Sequence, residues 1–212
     1  MKYSKKLFII LLFSIAMAYL ESAVVVYLRE LYYPEGFNFP IKLIPDKIIL
    51  IELGRELATI IMLLAIALII GKLFIESIAY FLFAFGVWDI FYYLWLKVFI
   101  NWPESLLTDD LLFLIPVPWI SPVLAPVLVS FVFILFSVFA LKKTERGIIV
   151  KYNKISIAFV LIGVALILTS FVWNYESRLN SVSPVEFLWG FFLVGLLLLA
   201  IGLLKPILSF KE

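Results

Sequence analysis

Six long apolar stretches, at roughly 7–28, 49–71, 75–100, 122–141, 156–174 and 187–204, alternate with polar or proline-bearing segments along the chain. Each is about 20 residues long, the length a helix rising about 1.5 Å per residue needs to cross a bilayer core. The pattern predicts an all-α, polytopic integral membrane helix bundle of about six transmembrane helices. Residues 1–212 form a single transmembrane domain in this reading. The basic start Met1–Lys6 and the small-residue triplet Ala16-Met17-Ala18 resemble a cleavable signal. The apolar run continues to about Leu28, however, so it is read as a retained first helix.

The polar interruptions are few. Glu52, Arg55 and Glu56 fall at i, i+3 and i+4, on one face of the second span. Glu21 and Asp89 interrupt the spans on either side. A charge at membrane depth costs about 2.5–3.5 kcal/mol even on the lenient insertion scale, so such groups face a bundle interior or a wet cavity.

Orientation follows from lysine and arginine placement. With the N-terminus in the cytoplasm, eleven basic residues fall inside and four, Arg29, Lys42, Lys47 and Arg178, fall outside. Arg55 and Lys97 lie within spans. Both termini are then cytoplasmic, and all six tryptophans map to the outer half or its border. Their rings suit an interfacial anchoring belt; lining a binding pocket is the alternative. Two outer loops, 29–48 and 101–121, are proline-rich and are predicted to be ordered caps. Within the second, Thr108 is a predicted N-cap for a short helix over 109–114.

Helical rise places Glu21 roughly 10 Å, Glu52 to Glu56 roughly 4–10 Å and Asp89 roughly 16 Å below the outer surface. Glu21, Glu52, Arg55, Glu56 and Asp89 are therefore predicted to form a polar site in the outer leaflet. Tyr93, Lys97, Asp109 and Asp110 would contribute at its outer rim. Arg55 can bridge Glu52 and Glu56 along its own helix, or reach Glu21 or Asp89 across the bundle. Four acids outnumber that arginine, so balance requires protonated acids, a bound cation, or Lys97 reaching down. Ser14, Ala18 and Ser22 form a small-residue stripe on span one that allows close helix approach. Spans five and six carry no ionisable group at depth and read as scaffold.

Composition narrows the chemistry. The chain is 65% hydrophobic and 15% charged, with mean hydropathy +1.17, well outside the soluble globular range. It has neither cysteine nor histidine, which excludes disulfides, His-ligated haem, His/Cys zinc sites and a histidine base. No cofactor is predicted. Oxygen ligands alone favour Ca²⁺, Mg²⁺ or Mn²⁺ where any metal binds, but the acid spacing matches no specific site. Net charge +2 gives no reason to expect nucleic acid as a partner. Phosphate-loop, nucleophile-elbow and zincin motifs are absent.

The segments ESAVVVYLRELYYPEGF (21–37), ELGRELATIIMLL (52–64), GVWDIFYYLWLK (86–97) and LFLIPVPWISPVLAPV (112–127) resemble a family of prokaryotic multi-span membrane proteins with no assigned activity. That resemblance implies a grouping, without a mechanism or site residues. A cell-membrane protein of this kind has three open functions. The first is transport or binding of a proton, cation or small polar solute at the acid-rich site. The second is an accessory subunit of a membrane complex, docking on a partner or a second copy. The third is an intramembrane lipid-modifying enzyme. Membrane lipids are partners in every case.

Overall fold

The structure, a computed structural model, describes residues 3–37, 39–40, 45–148, 150–180 and 186–208. Lys2, Lys42 and Lys211, which enter the charge bias, lie outside the described residues. Among the described residues six helices are long and apolar enough to cross a membrane, and they are the six predicted spans. They are α1 (Tyr3–Tyr32), α2 (Asp46–Ile70), α3 (Phe74–Ile100), α4 (Leu124–Glu145), α5 (Lys154–Val172) and, after the short α6 (Tyr175–Asn180), α7 (Trp189–Leu208). α1 runs unbroken through Ala16–Ala18.

The short helix expected over 109–114 does not form. Asp109–Phe113 is strand β1, paired antiparallel with β2 (Trp119–Pro122), with Asp110 opposite Ser121 and Leu111 opposite Ile120. Folding back through Pro116 and Pro118 instead pairs the backbone groups of both strands. Thr108 does not cap a helix; its Oγ1 accepts the Ser105 N–H at 3.1 Å in the preceding turn.

Small residues set the helix spacing. Ser14, Ala18 and Ser22 are fully buried where α1 meets α3. Ser22 Oγ sits 3.0 Å from the Tyr92 carbonyl oxygen, and the Trp95 indole donates to the Ile15 carbonyl at 3.3 Å. A Cβ on Gly86 would meet the Ser130 carbonyl of α4 at 2.8 Å. One on Gly163 would lie 2.6 Å from the Leu199 amide nitrogen of α7, so backbone touches backbone there. α2 is the outlier. It packs on α3 and touches α1, and its apolar half is largely uncovered. At the end opposite the hairpin, Glu76 accepts the Tyr3 hydroxyl and the Lys72 amide (2.8 Å), and Lys6 donates to the Ile70 carbonyl at 3.0 Å. These bonds pin the start of α1 to the α2–α3 turn.

Candidate functional site: an acid-rich cavity beneath the hairpin

A cavity of about 420 Å³ lies under the β1–β2 hairpin, between the α1–α3 side of the bundle and α5 with α7. That volume is in the range of small-molecule sites, ~300–1,000 Å³, which are mostly apolar with a few convergent polar groups. The walls here follow that description.

The polar side is built from α1, α2, α3 and β1. Arg55 lies between Glu21 and Glu52: its Nε and NH2 donate to Glu52 Oε2 at 2.8 and 2.6 Å, and its NH1 donates to Glu21. Thr59, one helical turn on, donates to the other Glu21 oxygen at 3.0 Å. Glu56 does not pair with Arg55. It accepts the Leu114 N–H at 3.0 and 3.2 Å, which ties α2 to the hairpin. Asp89 is likewise outside the arginine's reach and accepts the Ser130 hydroxyl at 2.8 Å. The structure therefore splits the predicted cluster into an ion-paired triad and two separately held carboxylates, all lining one cavity.

The rim residues separate in the same way. Asp110 is 1% exposed and accepts from Arg29 NH2 at 3.2 Å, with Tyr93 beside it. Burial pushes its carboxyl up to about 6 from an ordinary 3.8, the Arg29 charge opposing the shift. Asp109 pairs with Arg178 of α6 at 2.7 Å, and that arginine also donates to the Ile120 carbonyl at 2.6 Å. Asp110 and Tyr93 line the cavity, whereas Asp109 and Lys97 do not. Lys97 turns away: its Nζ donates to the Asn101 and Pro103 carbonyls at 3.2 and 2.9 Å, closing the C-terminal end of α3.

Sequence reasoning missed three contributors. Arg29 and Arg178 looked like ordinary loop cations, yet both are nearly buried and hold the hairpin down. Arg29 also stacks over Trp102, its guanidinium carbon 3.8 Å from the ring centre. The third is α5, which is more than scaffold: Val164, Ile167, Leu168 and Phe171 form the apolar wall, with Leu199 of α7. Of the tryptophans, Trp88 and Trp119 line the cavity.

Two electrostatic facts stand out. At formal charge the lining holds five carboxylates (Glu21, Glu52, Glu56, Asp89, Asp110) against two guanidiniums (Arg29, Arg55), a surplus of three negatives. Among the described residues, Arg29 NH1 and the indole nitrogens of Trp88 and Trp119 are buried donors without a partner, in the same lining. No three acids among the described residues are placed to share a metal ion. No protein-family model matches the chain, and no curated protein or solved structure matches it.

Proposed function

We propose that this is a cell-membrane protein that binds, and in doing so transports or senses, a small organic cation at the cavity beneath the hairpin. The observation that carries the reading is the surplus of three formal negatives within predominantly apolar walls. Uncompensated charge in such surroundings is costly, so the site favours an arriving positive charge. An organic ammonium suits it better than a metal ion, because the carboxylates are spread around the cavity instead of converging. Trp88, Tyr92 and Trp119 add aromatic surface for a soft cation, worth about 0.5–2 kcal/mol per favourable contact. In this proposal the hairpin end faces outward and both termini are cytoplasmic, as the basic-residue bias supports.

Radiolabelled ethanolamine, protonated at neutral pH, is the test probe. Binding to the protein in nanodiscs is expected to saturate and to fall at least tenfold in the Glu52→Gln/Glu56→Gln double variant. Absence of saturable binding to the unaltered protein would remove the reading.

A further inference from the structure

The cavity has a second half that a small ammonium ion leaves unfilled. Its wall is the aliphatic and aromatic face of α5, from Val164 to Phe171, more than a full helical turn of apolar surface. That wall is most accessible at Val164, which lines the cavity and is 37% exposed. Facing it across the cavity is α2, which contributes Ile48, Ile49, Glu52, Arg55 and Glu56. Among the described residues α2 packs on α3 and α1, while α5 packs on α7 and β2, so the two lining helices share no packed interface. A tail leaving the cavity between them would reach the hydrocarbon core.

Building on the ammonium-binding reading above, we infer that the occupant is a long-chain amino alcohol admitted from the bilayer between α2 and α5. Its ammonium and its hydroxyl lie among the carboxylates, to which both donate. Its chain runs along Val164, Ile167 and Leu168 toward lipid. Each part of the molecule meets the wall of matching chemistry, and no part of the tail has to cross water.

The test uses the whole protein in nanodiscs with N-dodecylethanolamine carrying a tail diazirine, ethanolamine as the short probe, and dodecyl sulfate with the same photolabel. Half-saturation by N-dodecylethanolamine is expected at least tenfold below that of ethanolamine, with crosslinks within residues 164–171. Leu168→Trp, which fills the slot, should abolish the tenfold advantage, read as the ratio of the two probes' half-saturation concentrations in that same variant. Val164→Trp serves as the second variant should Leu168→Trp fail to fold. Crosslinks confined to other helices, or an advantage untouched by both variants, would overturn the inference while ethanolamine binding kept the ammonium reading intact. Equal labelling by dodecyl sulfate would also overturn it, because the acids would then select nothing. Failure of ethanolamine itself would instead remove the reading beneath.

Discussion

Asp110→Asn isolates one buried carboxylate and changes little else in shape. Asp110 is 1% exposed, and its folded-state pKa is raised from 3.8 to about 6 by desolvation, against the pull of Arg29. The full shift corresponds to about 3 kcal/mol. The sign is fixed by linkage: between pH 3.8 and about 6 the folded protein binds the proton more tightly than the unfolded chain. This group's contribution is complete below pH 3.8, falls as pH rises, and is gone above about 6. Between about pH 4.5 and 7.5 the unaltered protein should lose about 2 kcal/mol that the asparagine variant keeps. The charged pair with Arg29 forms only as Asp110 ionises, so its contribution is already contained in the value of about 6 and is not counted again. The assay is thermal unfolding in one detergent at both pH values. For a chain of this size 2 kcal/mol is roughly 4–8 °C. The variant is expected to gain that much relative to the parent on going from the acid to the neutral condition. A constant difference in Tm at both pH values would refute the argument, because Asp110 would then titrate alike folded and unfolded.

Other contacts allow equally direct checks. Arg55→Ala should lower thermal stability by about 3 kcal/mol by stranding Glu21 and Glu52, and adding Glu21→Gln should restore part of that loss. Ser130→Ala removes the hydroxyl donor to Asp89 and should cost about 1–3 kcal/mol, measured by the same unfolding assay; Asp89→Asn in that background should recover some of it. Gly163→Ala puts a methyl 2.6 Å from the Leu199 nitrogen and should cost about 1–3 kcal/mol, whereas Gly190→Ala, with open space at its Cβ, should be near neutral. Arg178→Ala releases Asp109 and the Ile120 carbonyl, so amide exchange across 109–113 and 119–122 should quicken while the helices stay protected.

The spans could be read from sequence because a bilayer requires about 20 apolar residues per crossing and tolerates few charges within them. For the same reason Glu21, Glu52, Arg55, Glu56 and Asp89 stood out, and the structure places all five on one cavity. Which acid Arg55 takes was not readable, because helical spacing allows Glu52 and Glu56 alike and only the approach of α1 brings Glu21 in. The hairpin was misread as a helix because Thr108 carries a local cap signal, while strand pairing depends on residues 119–122 further along the chain. Arg29 and Arg178 were hidden by their position at span borders, where basic residues are ordinary. The α5 wall was hidden for a different reason: a leucine facing lipid and one facing a cavity have the same sequence signature.

At Gly163, Gly195 and Gly202 the backbones of α5 and α7 approach too closely for an added methyl, so that pair packs as a single slab. Across the chamber α2 has no such weld; Arg55 and Thr59 through Glu21 of α1, and Glu56 through Leu114, hold its upper half. Any widening of the chamber would therefore fall on α2, whose latch is ionic, and salt near the headgroups would loosen the contacts that keep it shut.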